Sequence, residues 1–149
     1  MERILAGLKE NIKIIIKGKE YIVKTKTWYS IVEDENASYI KCELSNDKVL
    51  VVIPDDDLIY IGSIIDNMNY ERISDDIIKY KGIEYTKSGN GNQYIKNVEF
   101  GNIDEVEGKC IFEDYEAKNN IISLGVLPEE DNRRADVFAD IIDLDDIDF

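Results

Sequence analysis

VLVVIPDDDLIYI, residues 49–61, is the stretch whose reading decides the fold. Val49 to Ile53 is a five-residue, uncharged, mostly β-branched run, the signature of a central strand buried on both faces. Pro54 has no backbone N–H to give to a ladder and stops the strand. Asp55, Asp56 and Asp57 form a hydrophilic turn, and Leu58 to Ile61 is a second apolar stretch. Working back from Val49, Asn46-Asp47 marks a turn before another strand candidate, Tyr39 to Leu44. Apolar runs separated by turn formers predict antiparallel strands.

The same grammar extends in both directions. Residues 12–16 give a short strand, Lys17-Gly18-Lys19 a turn, and Tyr21, Val23, Thr25, Thr27, Tyr29 and Ile31 recur at period two, predicting one strand. Its other side carries Lys24, Lys26 and Ser30, so that face is expected to be solvated, with Trp28 on it. Further strands are predicted at Ile77–Tyr80, Ile83–Thr86, Tyr94–Phe100, Lys109–Tyr115 and Ile121–Val126. Ser88-Gly89-Asn90-Gly91-Asn92 reads as a hairpin loop, because Gly and Asn tolerate positive φ. Ile4, Leu5 and Leu8 suit one amphipathic helical turn; Val137, Phe138, Ile141, Ile142 and Leu144 suit either a short helical stripe or a final edge strand.

The expected fold is therefore mainly β: antiparallel strands forming a roll, barrel or sandwich, with at most short helices at the termini. Ile16-Lys17-Gly18-Lys19-Glu20-Tyr21 lies against Tyr80-Lys81-Gly82-Ile83-Glu84-Tyr85 as a faint repeat, and Lys41-Cys42 against Lys109-Cys110. These matches suggest two similar β units, about 12–66 and 76–128. On this reading residues 1–128 form the globular domain and 129–149 an acidic C-terminal segment.

Charge narrows the function classes. The chain carries 32 acidic against 18 basic residues, net −14. Nine of the acids and two arginines fall in 129–149, so half of the net charge sits on the last 21 residues. Binding to phosphate backbones or anionic lipid needs clustered Lys and Arg, so no direct nucleic-acid binding is expected. An unknown protein partner with a basic surface suits the charge better. No stretch approaches the roughly 18 apolar residues of a transmembrane helix, nor is there a signal-length apolar run, and the expected location is cytoplasmic.

The chain contains no histidine, which removes the commonest general base, the imidazole metal ligands and any Ser-His-Asp or Cys-His arrangement. Asp55-Asp56-Asp57 has carboxylates suited to Ca²⁺ or Mg²⁺ but lacks the alternating ligands and central glycine of an EF-hand loop, so it reads as a turn. Gly89-Asn90-Gly91 has no Lys-Ser/Thr sequel of a phosphate loop. Cys42 and Cys110 stand 68 residues apart with no metal-ligand spacing and read as buried small apolar groups. No catalytic, cofactor-binding or metal-binding residues are assigned, and the chain is expected not to be an enzyme.

Two regions are candidate protein-interaction sites: Trp28 on its polar face, and the terminal Asp145, Asp146, Ile147, Asp148 and Phe149. There, acidic groups lead to an aromatic residue bearing the terminal carboxylate. That end resembles the acidic, Phe-ended tip of bacterial single-stranded-DNA-binding proteins, with Asp148 where the penultimate proline of those tips stands. The chain as a whole resembles the bacterial family known as domain of unknown function four-one-seven-eight. The resemblance rests on the hairpin around Lys17-Gly18-Lys19-Glu20-Tyr21, on Tyr39 to Leu44 before an apolar strand, and on the later Phe100-Gly101, Gly108, Asp114-Tyr115 and Ile121-Ile122-Ser123-Leu124. It covers roughly Ile12 to Asp140, and a tryptophan expected near Tyr39 is absent. It implies an uncharacterised β-rich cytoplasmic module, encoded in some genomes near membrane-stress genes, with no assigned catalytic residues. The leading expectation is a non-catalytic protein-interaction module without cofactors. The alternative is an acidic DNA mimic that inhibits a nucleic-acid enzyme.

Overall fold

A computed structural model describes residues 1–103 and 109–149; Gly108, one of the positions carrying the family resemblance, lies outside the described residues. The chain opens with a short helix, α1 (Glu2–Gly7), and the hairpin β1 (Lys13–Ile16) and β2 (Lys19–Ile22). Four consecutive strands follow, β3 (Lys26–Ile31), β4 (Asp34–Glu43), β5 (Lys48–Ile53) and β6 (Leu58–Ile65). Then come β7 (Glu71–Arg72), β8 (Ile77–Tyr80), the long β9 (Ile83–Phe100), β10 (Cys110–Ala117) and β11 (Asn120–Leu127). The chain ends with β12 (Arg133–Arg134), β13 (Asp136–Ile142) and β14 (Ile147–Asp148).

The fold is mainly β, as the sequence indicates, and of the three arrangements it allows it is a barrel. Eight antiparallel strands run in the order β3-β4-β5-β6-β13-β11-β10-β9, and β9 pairs back onto β3. Gln93 is aligned with Ile31 of β3 and with Cys110 of β10, so both edges of β9 are occupied and the barrel is closed. Closure pairs the two ends of the sheet, β3 and β9, with each other, which removes the free edges that an open sheet would present there. The interior of an eight-stranded barrel is just wide enough to be filled by side chains or to hold one small ligand.

The run Val49–Ile53 lacks alternation because both of its faces are covered. Leu50 and Val52 point outward into a core formed with Ile4, Leu8, Ile14, Tyr21, Ile40 and Ile147. Val51 points inward to Tyr60, Ile121 and Ala139. A cap made of α1 and a three-stranded sheet, β14-β1-β2, lies over this flank of the barrel. The chain around β7 and β8 lies over another, packing Met68, Ile78 and Tyr80 on Tyr85, Tyr115, Ile122 and Leu124.

Three expectations are corrected. Residues 21–31 are not one strand: β2 ends at Ile22, β3 starts at Lys26, and Val23 makes an isolated bridge to Leu44. The face bearing Lys24, Lys26 and Ser30 is not solvated throughout, since Lys26 and Ser30 are buried. The Lys26 ammonium lies 3.2 Å from Glu99 and donates to the Leu5 carbonyl of α1 at 3.2 Å, so its aliphatic stem serves as packing under the cap. Ser88–Asn92 is not a loop; it lies inside β9. There β9 exchanges partners, from β8 to β10 to β3, with a bulge at Ser88, and glycine in a strand interior marks such a barrel corner. Glu33 grips the corner, accepting hydrogen bonds from the Asn92 backbone N–H at 3.0 Å and from its side-chain amide at 2.6 Å.

The acidic segment 129–149 is part of the folded body, contributing β13 to the barrel wall and β14 to the cap sheet. β13 lies between β6 and β11, so Val137–Ile142 form a strand rather than a helix, but a central strand and not the expected edge strand, and Leu144 lies beyond it in a 3₁₀ turn. The hairpins of the faint repeat share one turn, with φ of 49° and 80° at Lys17 and Gly18 and 49° and 81° at Lys81 and Gly82. Their settings differ: one belongs to the cap, the other leads into the barrel. Cys42 packs in the outer core, whereas Cys110 faces the interior with Val51 and Val137. Among the described residues no helix is long and apolar enough to cross a membrane.

Candidate functional site: the acidic mouth of the barrel

One end of the barrel opens into a cup of about 370 Å³, at the lower end of the roughly 300–1,000 Å³ usual for ligand pockets. Its rim combines the start of β4, the 3₁₀ turn Pro54–Asp56, the corner of β9 and the end of β10. The turn that follows Val49–Ile53 thus forms part of the wall: Pro54 ends β5, Asp57 takes a left-handed conformation at φ 48°, and Asp55 and Asp56 stand at the opening. Asp34 and Glu116 complete the exposed acidic rim.

The floor is aromatic and amide. Tyr39, Tyr60, Gln93, Phe112 and Ser123 separate the cup from a smaller void of about 50 Å³ deeper in the barrel. Tyr39 is held by stacking on Tyr29, with ring centroids 5.0 Å apart and planes 9° apart, and by donating its hydroxyl hydrogen bond to Gln93 Oε1. Gly91 packs tightly beside the floor, since a Cβ there would lie 3.0 Å from Glu33 Oε2 and 3.4 Å from the Phe112 ring.

Asp114 stands between rim and floor. It projects inward from β10 on the same side as Phe112, directly opposite Ser123 of β11 and Gly89 of β9. Although the residue as a whole is only half-buried, its Oδ1 is sealed from solvent and has no hydrogen-bond partner among the described residues. Burial pushes its carboxyl up to about 6; the hydrogen bond from Ser123 opposes the shift and the nearby Glu116 charge adds to it. Burial, with the charges of Asp114 and Glu116, also pushes the Tyr60 phenol far above its ordinary value, so Tyr60 stays neutral. Among the described residues lining the cup there are five carboxylates and no lysine or arginine.

The sequence-predicted residues lie elsewhere. Trp28 is half-buried against the outer core, and its indole N–H donates to Glu99 at 2.7 Å. The terminal residues fold onto the cap: Ile147 is fully buried and pairs with Ile16, while Asp146 accepts from the Asp143 backbone at 2.9 Å in a reciprocal capping box. Arg3 donates to the carbonyls of Leu144 and Ile147, at 3.0 Å each, and its guanidinium lies 5.9 Å from the centroid of the Phe149 ring. Asp145 and Asp148 accompany this folded end, away from the cup. A signal for Asp114 was present in the sequence: Cys110, Phe112 and Asp114 recur at period two, which places a carboxylate on an apolar, inward face.

Fold and site together define an eight-stranded β-barrel with an open, acidic mouth. No protein-family model, curated protein or solved structure matches the chain.

Proposed function

We propose that this chain is a non-catalytic binding module whose working surface is the mouth of the barrel. The observation that carries the reading is Asp114, a carboxylate with an orphan oxygen set into a cup large enough for a small group. Buried polar groups are nearly always hydrogen-bonded, so an exception lining a roomy cup is where a partner's donor would be best accommodated. Binding rather than catalysis is supported by the lack of histidine and by Cys42, whose thiol is pushed up to about 12 by burial and lies outside the barrel.

Backbone-amide NMR with a mixed panel of neutral, anionic and cationic fragments tests it. Shifts clustering on residues 34–39, 53–60, 88–93 and 112–116 are expected. Shifts confined to the cap, or none with any fragment, would refute the mouth as the binding surface.

A further inference from the structure

Resting on that reading of the mouth, we infer that the cup takes an organic monocation: an ammonium or guanidinium group on a small, flat apolar body, with the Asp114 carboxylate as its hydrogen-bond acceptor. A cluster of acids alone would not carry this, because charge runs are commonly solvated surface. The independent observation is the orphan Oδ1 of Asp114, placed below the rim where water does not reach it. Asp114 lines the cup, and the broad χ2 torsion of aspartate allows its carboxylate to turn toward a donor seated there. A cationic donor would then make a charge-assisted bond in a poorly solvated place, where such bonds are strongest.

The surrounding chemistry selects among ligands. Asp34, Asp55, Asp56 and Glu116 surround the opening, with no lysine or arginine among the described residues lining it, which attracts cations and repels phosphates and carboxylates. A divalent metal is disfavoured, because among the described residues no three acidic or cysteine side chains are grouped closely enough to hold one. Below the carboxylates the walls turn apolar and aromatic, with Phe112, Tyr39, Tyr60, Ile31 and Leu58. That gradient from charge to ring suits an amine joined to a hydrocarbon body, and the ring faces add cation–π attraction.

The titratable groups facing Asp114 are Glu116 on its own strand, Asp34 and Tyr39 on β4, Asp55 and Asp56 on the turn after β5, and Tyr60 on β6. Only an ionised Asp114 accepts the cation's hydrogen bond as a counter-ion. With its carboxyl at about 6, the ionised fraction falls to roughly one-tenth at pH 5. Affinity is therefore expected to drop about tenfold between pH 7.5 and pH 5.

The test compares benzylamine, benzyl alcohol and benzoate against the full chain by NMR titration and calorimetry. Benzylamine should shift the mouth residues and bind at least about tenfold tighter than benzyl alcohol, with benzoate excluded. Asp114→Asn, nearly the same shape and not expected to unfold the chain, should weaken benzylamine by about tenfold or more, leave benzyl alcohol unchanged and abolish most of the pH effect. N-acetyl-lysine methylamide distinguishes the sources: Asp114-dependent binding assigns the ammonium to a lysine side chain of a protein partner, and its exclusion assigns it to a free amine. Equal binding of amine and alcohol at the mouth, or indifference to Asp114→Asn, would overturn the cation assignment while leaving the cup as a binding site. Failure of every probe to reach the mouth would overturn the cup itself.

Discussion

The two acidic regions of this molecule have opposite fates. The C-terminal end, densest in carboxylates along the chain, is folded and partnered: Ile147 is buried, Asp143 and Asp146 cap a 3₁₀ turn, and Arg3 holds the carbonyls. The barrel mouth draws its carboxylates from three separate stretches of sequence and leaves one oxygen of Asp114 without a partner among the described residues. Charge density along a chain thus says little about where charge is available to a partner. What decides is whether the fold itself already supplies the counter-groups.

The comparison can be broken most forcefully at the tail. Ile147→Ala removes a fully buried side chain and should lower stability by about 2–5 kcal/mol in urea unfolding, without moving the resonances of the cup. A tail that served only as a solvated docking peptide would show no loss. Asp114→Asn should act in the opposite direction. The folded chain holds the Asp114 proton more tightly than the unfolded chain does, so its stabilising contribution is complete below about pH 4 and fades as pH rises through about 6. At pH 7 the gap between 3.8 and about 6 corresponds to a penalty on the order of 3 kcal/mol. Asp114→Asn should recover much of that and flatten the stability profile between pH 4 and pH 7; an unchanged profile would remove Asp114 from its special position.

Smaller effects sharpen the picture of the cap. Lys26→Met keeps the buried stem but removes the donor to the Leu5 carbonyl and leaves Glu99 with Trp28 alone of the two, and a loss of about 1–2 kcal/mol is expected by thermal unfolding. Phe149 is 43% exposed and rests beside Gly7. Phe149→Ala should therefore lose less than about 1 kcal/mol, measured the same way, and leave binding at the mouth untouched. A larger loss would make the terminal aromatic a structural anchor on a par with Ile147.

Local pattern made much of the fold legible. Turn formers at 17–19, 46–47, 54–57 and 81–82 sit where the structure turns, because positive φ and a missing N–H are properties of single residues. The errors came where covering elements arrive from far away. Lys26 reads as solvent-facing until α1, 21 residues earlier in the chain, covers it. Gly89 and Gly91 read as a loop because their actual role, bending β9 at a barrel corner, depends on β10 and β3 taking opposite edges of the same strand.

The amino-acid order alone determined a mainly β, antiparallel, histidine-free and acidic chain, since backbone propensity, hydrophobic period and side-chain chemistry act over a few residues. Closure into a barrel, the burial of the tail and the gathering of Asp34, Asp55, Asp56, Asp114 and Glu116 around one opening were decided by tertiary structure. Strand order and distant packing set those distances, and a carboxylate's loss of water and of partners depends on neighbours that no local stretch of sequence contains.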